Sequence, residues 1–140
     1  MKTVEELVRA YSSKKLGNHR VELLPNGKEL YYYYSTVICE VHNGRFKVSN
    51  GGYGTSSTKR AIGAYRKEFQ DSHVEDLVLT LTKKKRDGSF EAEDQVGFKW
   101  IINPDEHGIK EFVAGAKYEC QVYHGKVWQM LLDEEEEVLV

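Results

Sequence analysis

The dipeptide Asn43-Gly44 constrains this chain more than any other feature. A two-residue hairpin turn needs positive φ at both central positions, and Asn followed by Gly meets that demand at least cost. The flanking runs suit strands: "ELYYYYSTVICEV" leads in and "RFKVSN" leads out, both rich in β-branched and aromatic residues. Upstream, "HRVELL" alternates and "PNGK" supplies turn chemistry. The spacing therefore predicts an antiparallel meander with strands at about 20–24, 29–42 and 45–50.

Two segments break the β pattern. Thr3 and Glu6 stand at capping-box spacing, and Val4, Leu7, Val8 and Tyr11 recur at helical intervals, which predicts a helix over 3–13. Ala61, Ile62, Tyr65 and Phe69 predict a second helix over 57–70, after the glycine-rich stretch "SNGGYGTSSTKRAI". Beyond it "DLVLTLT", "SFEAE" and "GFKWIIN" read as strands, with "KKKRDG" as a hairpin tip. "IKEFVAG" reads as one or two helical turns, and "AKYECQVY", His124-Gly125 and "KVWQMLL" form a closing hairpin. The expected class is α+β: an N-terminal helix, an antiparallel meander, one helix after a Gly-rich loop and a second antiparallel β-rich half that closes the core. Hairpins without regular βαβ alternation argue against a parallel sheet. A chain of 140 residues suits a single domain over 1–132, with sub-lobes at 1–70 and 74–132, and an acidic tail over 133–140 too poor in apolar surface to order itself.

The formal charge of -2 conceals an asymmetry. Asp133 and Glu134 to Glu137 hold five of the 22 acids, and the 17 that remain face 20 lysines and arginines, a mildly basic body of +3. The two cysteines, Cys39 and Cys120, sit in apolar alternating runs and read as buried free thiols of a reducing compartment. "MKTVEELVRA" carries charges where a signal peptide needs an apolar run, and no stretch approaches the roughly 18 apolar residues of a membrane span. A cytoplasmic protein with no membrane partner is expected.

The glycine-rich stretch is the candidate site. Gly51, Gly52 and Gly54 permit positive φ, which lets successive backbone N–H groups point to one side around Tyr53. Thr55, Ser56 or Ser57 can cap the following helix, and Thr58 adds a further hydroxyl. Lys59 and Arg60 stand in the first turn, where cations oppose the helix dipole, so a ligand with negative charge explains them better than stability does. Lys59 and Arg66, and likewise Arg60 and Lys67, are seven residues apart and fall on two basic rows. The competing reading is a well-made helix start with a solvated charged face. No Gly-Lys-Ser/Thr follows the glycines, so the loop is not a triphosphate-hydrolysing one.

In the run Tyr31 to Tyr34, alternate rings face opposite ways. One pair packs in the core and the other caps a sheet face, or else Tyr31 and Tyr33 form a stacking platform for bases or sugars. The five histidines show no ligand spacing, and neither cysteine has a histidine at dyad spacing. No metal, no cofactor and no enzymatic activity are expected, and the sequence says nothing of the oligomeric state.

The stretch "YSTVICEVHNGRFKVSNGGYGTSSTKRAI" resembles a small domain of tailed-phage proteins of uncharacterised function. The matching positions are Tyr34, Thr36, Ile38, Asn50, Gly51, Gly52, Tyr53, Thr55, Thr58, Lys59 and Arg60, within a span of about 31–69. Tyr53 stands where that pattern has Trp, and Gly63 where it has Asn. The resemblance implies a phage-type accessory protein that binds and modulates a host protein in the host cytoplasm. The residue chemistry implies the alternative, a module for nucleic acid or another phosphate-bearing ligand.

Overall fold

The computed structural model describes residues 1–132, so the acidic tail lies outside the described residues. Within them the fold is α+β, with two α-helices and ten strands in a mostly antiparallel sheet. The described residues divide into two compact units, Met1–Glu75 with Tyr123–Gly125, and Asp76–Val122 with the residues from Lys126 on.

The first unit opens with α1 (Lys2–Val8), which buries Val4 and Leu7 one turn apart. The helix is shorter than the 3–13 expected. Met1 is its N-cap without a side-chain bond, and Tyr11, counted in the apolar stripe, is fully exposed. The Thr3–Glu6 spacing is therefore not used as a cap. A strand that patterning misses, β1 (Lys14–Leu16), then pairs with β2 (His19–Leu23) through the turn Gly17-Asn18.

The run expected as one strand over 29–42 is two: β3 (Glu29–Tyr33) and β4 (Thr36–His42), antiparallel, with Tyr33 opposite Thr36. Tyr34 makes the turn at φ 55°, a conformation that costs a bulky residue roughly 1–2 kcal/mol. Asn18 helps hold it: its carbonyl accepts the Tyr34 N–H at 2.7 Å and its Nδ2 donates to the Tyr34 hydroxyl at 3.1 Å. The Asn43-Gly44 turn forms as expected, with φ of 51° and 76°, and leads to β5 (Arg45–Val48).

Helix α2 (Ser56–Phe69) connects β5 to β6 (Val74–Lys84), whose first two residues run parallel to β5. This two-residue contact is a parallel pairing within a sheet that is mostly antiparallel, as expected. A single α2 link brings the chain back alongside β5, where a hairpin would have reversed it. Helix α2 buries Thr58, Ala61, Ile62, Tyr65 and Phe69. Its aromatic rings meet Tyr31 and Phe46 of the sheet, at 4.8 Å for Tyr31–Tyr65 and 5.7 Å for Phe46–Phe69.

In the second unit the strand order is β8 (Lys99–Ile102), β7 (Phe90–Asp94), β6, β9 (Lys117–Tyr123) and β10 (Lys126–Leu132). Leu77, Leu79 and Leu81 alternate inward along β6 and pack with Phe90, Ala92, Ile102, Cys120 and Val122. "IKEFVAG" is irregular rather than helical, because Ile109 and Phe112 pack individually against this core and Gly115 N–H donates to the Leu81 carbonyl at 2.9 Å. The helical turn that does form is a 3-10 turn at Pro104–His107, capped by Asn103. Both cysteines are free and buried, as expected. Burial pushes the Cys39 thiol far above its usual range and raises that of Cys120 to about 12.

Candidate functional site

The glycine-rich loop is built largely from its own hydrogen bonds. Gly51 N–H donates to Ser49 Oγ at 3.1 Å, Gly52 N–H to Asn50 Oδ1 at 2.9 Å, and Tyr53 N–H to the Asn50 carbonyl at 2.9 Å. Gly51 and Gly52 have φ of 60° and 90°, as the turn requires. Short polar side chains thus claim the N–H groups that a backbone anion cradle would need, and the expected cradle over Gly51, Gly52 and Tyr53 is not formed. Gly51 is fixed twice, because a Cβ there would sit 2.4 Å from Thr36 Cγ2 as well as at unfavourable φ.

Thr55 is the residue that caps α2. Its Oγ1 accepts from Thr58 N–H at 3.3 Å and lies 2.9 Å from the buried Thr58 hydroxyl and 3.3 Å from Ser57 Oγ. No acid stands in the first turn. Ser56 and Arg60 are exposed, Lys59 is half-buried, and Lys67 is exposed two turns further along the row of Arg60.

Arg66 departs from the expected basic row. Its side chain is only 12% exposed, and Nε donates to Glu75 Oε1 at 2.5 Å, with Glu75 itself 5% exposed. Arg66 therefore holds a buried carboxylate at the start of β6 and is not presented to a ligand. Of the four cations proposed for phosphate, Arg60 and Lys67 are the exposed ones.

The tyrosine run also divides. Tyr31 is fully buried, its hydroxyl donating to Glu29 Oε1 at 2.7 Å, so it has no face for stacking. Burial and the neighbouring Glu29 raise its pKa well above the usual phenol range. Tyr33, by contrast, lines a cavity of about 360 Å³. The turn Tyr33–Thr36 and Ile38 of β4 form one side of it, and Asn50 and Tyr53 of the loop, with Thr55, Ser57 and Thr58 of the helix start, form the other. None of these ten lining side chains is charged. The two tyrosines of the wall nearest solvent are well exposed, Tyr34 at 63% and Tyr53 at 61%. His19 packs behind Tyr33 with ring centroids 4.9 Å apart, and its burial lowers its pKa.

Sequence reasoning finds Tyr33, Tyr53, Thr55, Ser57 and Thr58 but places Tyr33 on a sheet face and treats the loop as the whole site. It does not bring in Ser35, Ile38 or Asn50, or the ring of Tyr34. Their signal is hidden in the tyrosine run, which reads as unbroken strand. Comparison with family models, with curated proteins and with solved structures finds no match to this chain. Among the described residues no group of three or more His, Cys, Asp or Glu is placed to hold a metal ion, and no helix is long and apolar enough to cross a membrane.

Proposed function

We propose that the first unit is a binding module for single-stranded nucleic acid, holding one nucleoside in the cavity at the start of α2. The observation that carries this reading is the neutral, hydroxyl-rich cavity walled by the exposed rings of Tyr34 and Tyr53. A base offers an apolar face to a tyrosine ring, and a sugar offers hydroxyls to Ser and Thr. The charged part of the ligand stays outside. Arg60 and Lys67, on one exposed row of α2, are the groups its phosphates would meet. Titration of a labelled single-stranded oligonucleotide at two salt concentrations tests this. With only a few phosphate contacts the expected salt slope is shallow, about -1 to -2. An oligonucleotide that does not bind, while a neutral glycoside does, would overturn it.

A protein partner is the second reading, and a separate observation favours it: Trp128 on β10 is 69% exposed, with Leu131 and Leu132 exposed beside it. Such a surface suits a phage-type accessory protein that binds and modulates a host protein in the host cytoplasm.

A further inference from the structure

Apart from Asn50, the side chains around the cavity at the start of α2 do not fix the sense of a hydrogen bond. Ile38 is apolar, and the hydroxyls of the tyrosines, serines and threonines rotate, so each can give or receive. Asn50 differs, because its amide has two ends of fixed sense. Gly52 N–H, which can only donate, bonds to Asn50 Oδ1 at 2.9 Å, and this assigns the oxygen end to the loop and leaves the amino end opposite it. The backbone is held in the same turn, for the Asn50 carbonyl accepts the Tyr53 N–H at 2.9 Å and Gly51 and Gly52 supply the positive φ. Among the described residues Nδ2 has no partner of its own. Asn50 therefore offers the cavity a pair of N–H donors.

We infer that Asn50 determines which base the cavity takes, and that it selects one bearing an oxo group, such as guanine or hypoxanthine, over adenine. The inference rests on the reading of the cavity as a nucleoside site. Asparagine reads adenine with both ends of its amide, Oδ1 taking the 6-amino group and Nδ2 giving to N7. Here the turn holds Oδ1. The amino end alone would face the 6-amino group of adenine donor against donor, whereas an oxo group at the same place on the ring accepts from it. A mismatched pair of donors shut away from water costs more than the single bond is worth, so the discrimination comes chiefly from rejecting adenine.

The test uses two fluorescent strands, abasic except for one nucleotide that carries hypoxanthine in the first and adenine in the second. These purines have the same size and carry oxo against amino at position 6, so a difference in affinity reads the base edge and not the fit of the ring. The full chain should bind the hypoxanthine strand about five- to tenfold more tightly. Asn50→Asp keeps an oxygen for Gly52 N–H and turns a second oxygen to the base, so it should reverse the preference while its charge weakens both strands alike. Asn50→Ser, whose hydroxyl can take the Gly52 N–H in the same kind of turn, should abolish the preference. Thermal melting checks that each variant folds, and if neither does, the preference of the unaltered chain decides. Equal binding of the two strands, tighter binding of adenine, or a preference for hypoxanthine that a folded variant keeps overturns the inference and leaves the nucleoside reading standing. If neither strand binds the unaltered chain, that reading falls and the inference with it.

Discussion

The two units each bury an acid, and they stabilise it by different means. In the first, Glu75 meets a full opposite charge, the Arg66 guanidinium. In the second, Asp94 meets neutral donors: Oδ1 accepts from the N–H groups of Val96 at 3.0 Å and Phe98 at 2.9 Å, and Oδ2 from Trp100 Nε1 at 3.0 Å. The carboxylate of Asp94 thus organises the turn between β7 and β8 and ties it to a core-facing indole. Losing the acid strands a buried guanidinium in the first unit and neutral N–H donors in the second, so the same chemical deletion should have unequal costs.

The largest expected effect tests that inequality. Glu75→Ala should cost about 3–5 kcal/mol in urea unfolding, because the buried Arg66 guanidinium loses the carboxylate it pairs with. Replacing the pair together by Glu75→Leu and Arg66→Met should recover most of the loss, since an apolar pair of similar volume needs no solvation. Asp94→Ala should cost less, about 2–3 kcal/mol, from the donors it abandons. Equal losses for the two alanine variants would break the comparison.

Glycines sharpen it next. Gly51 and Gly88 both stand at positive φ, but an added Cβ meets Thr36 Cγ2 only at Gly51, and open space at Gly88. Gly51→Ala should therefore cost about 2–3 kcal/mol and Gly88→Ala about 1 kcal/mol, the latter from backbone strain alone. Adding Thr36→Ser to Gly51→Ala removes the clashing methyl and should recover the difference. At the cavity, Tyr53→Ala should weaken oligonucleotide binding by about 1–2 kcal/mol with little change in unfolding, because the ring is exposed.

The smallest effect is on pH dependence. Burial holds the folded-state pKa of His19 below 6.5, so the unfolded chain binds the proton more readily. Its contribution is present above pH 6.5 and is lost as the pH falls through the lowered value. A urea series between pH 7 and 5 should show that decline, and His19→Gln should flatten it. Glu40 acts in the same direction at lower pH. Its pKa is lowered first by the Lys28 hydrogen bond and then by Lys47, so its contribution holds above the usual carboxylate range and fades in acid.

What was legible in the sequence was local. The turns Asn43-Gly44 and His124-Gly125 announce themselves because positive φ selects their residues, and α2 because the four apolar positions Ala61, Ile62, Tyr65 and Phe69 share one period. The break at Tyr34 was not legible, since nothing in a run of tyrosines marks a turn and the residue is held there by Asn18 from another hairpin. "IKEFVAG" has helical spacing but spends its apolar residues on separate packing contacts. The site was half legible: glycines and hydroxyls mark a loop beside a helix start, yet whether its N–H groups face a ligand or Ser49 and Asn50 is decided by rotamers. The partnership of Arg66 with Glu75 spans nine residues and an entire change of element, beyond the reach of any helical period.

The two thiols give each unit its own clock. Cys39 lies in the first unit and Cys120 in the second, both sealed from water and both protonated at neutral pH. A thiol-reactive dye can modify either one only during the moments when its surroundings part, so the labelling rate counts openings rather than intrinsic nucleophilicity. Peptide mapping after timed exposure would then read two breathing frequencies from one unmodified chain. A ligand that steadies one unit would slow its clock and leave the other running.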